Sequence, residues 1–291
     1  MIASALSQSL NEPTLQLRPQ PLQHIVEPVA LLLTWQPVDE SHPVRTRRVV
    51  ARIDRQADMA DMADMVSFRY LRNTEDFDAA ADAGFKGHPA FKLTTQTARS
   101  LTNDQGSDGQ VFKTGVLETF LRRLPPRKRE DFPAFLAMHR LPTPFEHSDF
   151  ALLGYTGAKL PSDGFAIVPV FAADQVPCEL ILEVAGFRHE PNADVSSVHP
   201  GDDVALVAED NNPHDTNAVA IFHTATSNPD CRSERFGYRI GYINRALTSI
   251  VRTWVKDRKV TAKIERVNRE PSGKPHGKPH RPLVYIRVSV C

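Results

Sequence analysis

After Pro177 the chain falls into six short apolar runs, at 178–184, 203–208, 218–222, 239–243, 260–267 and 283–290. A single stretch among them, 246–255, carries a helical period, with Leu247, Ile250, Val251 and Trp254 at spacings of three and four. Strands this short can cover their apolar faces only by bending around one another or around the helix. The pattern therefore predicts a small, strongly curved sheet or barrel over 178–291.

The region before it has a different texture. Residues 1–28 are polar and broken by Pro13, Pro19, Pro21 and Pro28, and they carry no apolar period, which predicts a disordered tail. The branched apolar run 29–35 reads as a buried strand, and 48–53 and 66–70 as further strands. Between these lies a three-residue Asp-Met-Ala repeat from Asp58 to Met65, whose period matches neither strand nor helix and which reads as a loop insertion. An amphipathic helix is predicted over 111–124, stopped by Pro125-Pro126, then helices over 128–138 and around 145–153, and a strand over 164–171. Strands followed by helices and a closing strand describe an α+β domain over 29–172. At about 150 residues per domain, 291 residues accommodate these two units.

Charge separates the second region into halves. The whole chain is neutral, with 35 basic and 35 acidic residues. Residues 172–231 hold one basic and eleven acidic residues, whereas 232–291 hold fifteen basic and four acidic. Clustered cations can bind a polyanion by releasing its counterions, or the two halves can neutralise each other across one folded unit. Both readings stay open on charge alone. Three distant cysteines, Cys178, Cys231 and Cys291, support neither a disulfide framework nor a metal site and fit a reducing cytoplasm. No apolar run approaches a membrane span and residues 1–20 have no leader pattern, so a cytoplasmic protein without membrane contact or cofactor is expected.

Three segments concentrate unusual chemistry: Gly186-Phe187-Arg188-His189, the stretch from Asp210-Asn211-Asn212-Pro213-His214-Asp215 to Asn217, and Ile240-Gly241-Tyr242-Ile243-Asn244-Arg245. Short polar side chains in the second can hydrogen-bond their own backbone to form a tight turn. Gly241 permits close approach of another chain, and Asn244 is an adequate helix N-cap. These features can be architecture alone. Their order and spacing also closely resemble the HIRAN domain, over about 178–291.

That resemblance implies an OB-like or SH3-like small barrel that binds single-stranded DNA or the 3′-hydroxyl end of DNA. It places Arg188 near the DNA backbone, His189 beside it, Asn212 and Asp215 in the polar turn, His214 and Tyr242 at ring positions, and Arg245 at a phosphate-facing position. Rings would stack bases, cations would hold phosphates, and Asp215 would accept a hydrogen bond from a free terminal hydroxyl. Where end-binding members carry two tyrosines, this chain has His189 and Glu190. Lys274, Lys278 and Arg281 are further phosphate candidates on a Pro-rich loop, where the prolines rule out the helix that would let His276 and His280 share a metal. No metal site is expected.

In the first region, Gly87-His88-Pro89-Ala90-Phe91-Lys92-Leu93, the 111–124 period, Pro142-Thr143-Pro144-Phe145-Glu146 and Gly164-Phe165-Ala166-Ile167-Val168-Pro169 follow an order similar to the N-terminal subdomain of HipA toxin kinases. The resemblance covers 29–171 and stops before a kinase core; no catalytic-loop Asp with its following Asn is recognisable. It implies a docking module for a protein partner, with bacterial defence, toxin–antitoxin control or DNA repair as settings. The expectation is a non-enzymatic adaptor binding DNA through the second domain and a protein through the first. Alternatives are an antitoxin-like regulator whose barrel is scaffold, and a nuclease or other enzyme whose catalytic residues are not recognisable; Glu209, Asp210 and Asp215 suggest a nuclease metal pair, but no partnering Lys or third carboxylate stands at a recognisable spacing.

Overall fold

The computed structural model describes residues 19–39, 42–43, 46–55, 66–93, 110–160, 162–190, 195–224, 237–268 and 282–291. The Asp-Met-Ala repeat and the Lys274–Arg281 loop lie outside the described residues. Two antiparallel sheets organise the chain. The first has the order β4-β3-β2-β1-β5, from β1 (Ala30–Trp35), β2 (Arg48–Arg55), β3 (Val66–Tyr70), β4 (Val111–Phe112) and β5 (Phe165–Val170). Helices α1 (Glu75–Asp82), α2 (Val116–Leu121), α3 (Phe132–Met138) and α4 (Asp149–Thr156) accompany it.

Several expected helices begin later than their apolar periods. Val111 and Phe112 pair with Arg69 and Phe68 at the sheet edge. The helix starts only after Gly115, whose φ of 65° is a left-handed conformation that breaks the run. Residues 126–131 form turns before α3, and Pro133 occupies its first turn. Ser148 caps α4 by accepting from the Ala151 amide at 3.0 Å, so that helix begins after Phe145 rather than at it. Helix α1 was not expected from the apolar period. Its signal is a cap: Thr74 accepts from Phe77 N at 3.2 Å, and Glu75, Asp76 and Asp78 fill the first turn.

The second sheet has the order β6-β11-β10-β7-β8-β9, from β6 (Cys178–Glu183), β7 (Asp203–Ala208), β8 (Val219–His223), β9 (Tyr238–Tyr242), β10 (Val260–Asn268) and β11 (Leu283–Val290). Helix α5 (Thr248–Asp257) buries Val251 and Trp254 in its core. The predicted barrel is not closed by a continuous ladder. The two outer strands meet at one antiparallel bridge, Ala185↔Tyr242, with two amide hydrogen bonds of 2.8 Å. Gly241 makes that approach possible: with φ at 141°, a Cβ there would lie 2.4 Å from Ala185 O.

Strand alternation sends neighbouring side chains into different cores. Leu31 and Leu33 of β1 enter the first core with Ile167, whereas Leu32 packs against the second, where its cross-strand partner Val168 is buried. Both faces of β1 and β5 are thereby covered, and the two sheets share an apolar contact. Residues 19–28, expected within the disordered tail, form a strap across it. Leu22 is buried and donates its amide to Arg140 O at 2.7 Å, His24 O accepts from Glu179 N, and Val26 N donates to Tyr155 Oη. The prolines hold this segment extended while its remaining amides find partners on both sides. No helix among the described residues is long and apolar enough to cross a membrane.

Candidate functional site

Strands β7 and β8 pair as far as Ala208↔Val219, and Glu209 N adds a bond to Ala218 O at 2.9 Å. The intervening polar loop is therefore held at its base by the ladder. Inside it, Asn212 Oδ1 accepts from His214 N at 2.9 Å and Asp215 N at 3.2 Å, and Asn212 Nδ2 donates to Glu209 at 2.9 Å. Asp215 accepts from Asn217 N at 2.9 Å and from the Thr248 hydroxyl at 3.5 Å. These short side chains build the turn they occupy. Asp215 also fastens the turn to the start of α5.

Strand β9 supplies the opposite wall. Its pairing with β8 skips Ile240: Ile221 faces Gly241 and Phe222 faces Arg239. The extra residue is a bulge, and it puts Arg239 and Tyr242 on the same side although three positions separate them. The Arg239 guanidinium lies 4.9 Å from the Tyr242 ring centroid. It also makes two 3.0 Å contacts with Glu190 and one of 3.3 Å with Glu209. Tyr242 Oη donates to Glu209 at 3.3 Å. Burial opposes the charge on Arg239, but hydrogen bonds and charge from Glu190, with Glu209 adding to them, hold its pKa above the ordinary value. Burial raises the Tyr242 pKa, with Arg239 working against the shift and Glu209 with it.

Asn212, His214, Arg239 and Tyr242 line an open pocket of about 540 Å³ together with Glu209, Asp210, Asn211 and Pro213. Of the residues singled out from the sequence, Asn212, His214 and Tyr242 come together here, with Asp215 on the same turn. Arg245 reaches the turn through His214 O at 3.0 Å, but its guanidinium lies 3.1 Å from Asp76 and 3.5 Å from Glu75 of α1. His189 is exposed in the 3-10 turn Phe187–His189 and does not line the pocket. Arg188 shares that turn, and its side chain lies outside the described residues, as do Lys274, Lys278 and Arg281.

Arg239 was not singled out from the sequence, and Glu209 entered only as a nuclease candidate beside Asp210 and Asp215. Glu190, which stands where end-binding members carry a tyrosine, has a side chain only 8% exposed and neutralises Arg239. The bulge that brings these groups together has no marker in the local sequence beyond Gly241. Among the described residues, no group of three or more His, Cys, Asp or Glu side chains could hold a metal ion.

The HIRAN domain family model matches residues 178–288, the stretch that contains all of this pocket. One similar solved structure is the crystal structure of the HIRAN domain of human HLTF, at 20% identity and a TM-score of 0.25. The alignment covers 38% of this chain and 74% of that one. No curated protein matches the chain.

Proposed function

We propose that residues 178–288 bind single-stranded DNA or a DNA 3′ end at the pocket between the Asn212–Asp215 turn and Tyr242. The observation that carries this reading is the coincidence of the HIRAN match with a pocket in which a ring, a guanidinium and a polar turn meet. Tyr242 and His214 would stack bases without regard to sequence, and Arg239 and Arg245 would attract phosphates. Asp215 uses its carboxylate within the turn, yet its remaining lone pairs can accept from a terminal hydroxyl. In this proposal the protein is an adaptor without catalysis, and residues 29–172 carry its contact with a protein partner.

One observation favours the alternative in which the second unit is a scaffold for a regulator. Arg239, Arg245 and Arg252 already pair with carboxylates: Arg239 with Glu190 and Glu209, Arg245 with Asp76, and Arg252 with Asp210. A phosphate would have to displace or outcompete these partners. Anisotropy titration of the full chain with oligonucleotides ending in 3′-hydroxyl or 3′-phosphate, at two salt concentrations, separates the readings. Binding that weakens with salt and prefers the hydroxyl end is expected, with Tyr242→Ala losing about 1–3 kcal/mol. Asp215→Asn, which retains an acceptor for Asn217 N, tests whether the negative charge sets the end preference. Equal affinity for both ends would remove end recognition; no binding at low salt would leave the scaffold reading.

A further inference from the structure

A second cavity, of about 220 Å³, lies where the two sheets meet, with Asn244 and Leu247 among its lining residues, and it is not lined by any residue of the Asn212 pocket. Its walls come from both units: Phe135, His139, Tyr155 and Lys159 from the first, Arg266 and Tyr285 from the second, among others. No carboxylate lines it. Asp163 and Glu183, which do not line it, pair with two of its lining cations, Arg123 at 2.5 Å and Lys159 at 2.6 Å. Arg266 stacks on Tyr285 with 4.2 Å from guanidinium to ring centroid and donates one Nη to Met138 O, while its Nε is buried without a hydrogen-bond partner.

We propose that this inter-sheet cavity is a binding site for a small organic anion, an aromatic monocarboxylate in size and chemistry, with Arg266 as the charge that receives it. The volume corresponds to roughly seven waters at about 30 Å³ each, enough for a single ring with one acidic group. The side chains of Phe135, Tyr155 and Tyr285 line it with apolar rings, and Arg266, Lys159 and Arg123 bring positive charge to its walls with no carboxylate among the lining residues. His139 reports the sign of the local field. Burial first, and then the positive charges of Arg266 and Lys159, lower its pKa to about 4, so it stands neutral at the wall of a site that favours negative charge. Because both sheets contribute walls, the ligand would stabilise their contact.

The test uses the full chain with benzoate as probe and benzamide as its neutral counterpart. Calorimetric titration should detect benzoate and give at least a tenfold weaker signal for benzamide, and Arg266→Gln should lose the difference. Since Arg266 also holds Met138 O, a misfolded variant would be uninformative, so a second measurement on the unaltered protein accompanies it. Crystals soaked in 4-bromobenzoate should show an anomalous bromine peak between Tyr155 and Tyr285. Absence of that peak, or equal binding of benzoate and benzamide, overturns the proposal. Neither outcome bears on oligonucleotide binding at the Asn212 pocket.

Discussion

The Arg245 guanidinium lies 3.1 Å from the Asp76 carboxylate, so a residue that follows the second sheet's outer strand is held by the first turn of α1 in the other unit. Asp76 is already committed. It accepts from Arg48 at 3.0 Å and from Val49 N at 3.1 Å, which fixes it at the end of β2. An anion approaching Arg245 therefore competes with a carboxylate that cannot swing away.

Asp76→Asn should weaken that competition while retaining the acceptor for Val49 N. Oligonucleotide affinity at low salt is expected to rise by about 0.5–1 kcal/mol, roughly two- to fivefold, because one partly buried ion pair is removed. Thermal stability should fall, since Arg48 loses its charged partner. Unchanged affinity, measured by the same anisotropy titration, would place Arg245 outside the nucleic-acid surface.

Val168→Asp tests the shared apolar contact. Val168 is 6% exposed and faces the second core beside Leu32, so a carboxylate there has no partner and forfeits an apolar burial of about 1.5–3 kcal/mol in addition to its own desolvation. A loss above about 3 kcal/mol is expected in urea unfolding. Fluorescence of Trp35, at the end of β1, and of Trp254, in the second core, should shift together. If only the Trp35 signal moves, the two sheets unfold independently and the contact is weak.

His88 sets a pH dependence with a defined sign. It is 8% exposed, its Nδ1 accepts from Ala90 N at 3.2 Å, and its ring lies 5.3 Å from those of Phe91 and Phe120. Burial, assisted by the Arg123 charge and opposed by Asp163, lowers its pKa from 6.5 to about 4. The unfolded chain therefore binds the proton more readily, and stability is present above about pH 6.5 and lost as pH falls toward 4. A loss of ~1–3 kcal/mol across that window is expected for this group. His88→Phe cannot take up the proton. Its stability difference from the unaltered protein should narrow between about pH 7 and 4.5 in urea titrations. A constant difference would mean that His88 protonates without penalty.

Period and punctuation in the chain were enough to place ten strands within a few residues, because alternation and Pro or Gly boundaries are local properties. The same is true of the Asn212–Asp215 turn, where each side chain bonds a backbone amide two or three residues away. Helix α1 was not read from the sequence, because its few apolar residues give no period, although its Thr74 cap and acidic first turn are local signals. What lay outside local reach was decided by tertiary contact. The 19–28 strap is polar and proline-rich, and it is ordered only because Glu179, Tyr155 and Arg140 arrive from distant parts of the chain to meet its backbone. Arg239 joins Tyr242 through a one-residue bulge in β9, and Glu190 becomes its partner across 49 positions. Arg245 carries the same charge in any arrangement of the two sheets, but whether it faces solvent or Asp76 depends on how they pack. That packing is set by Leu32 and Val168, whose side of the sheet follows from strand parity, while the surface awaiting them is assembled from strands more than a hundred residues apart in sequence.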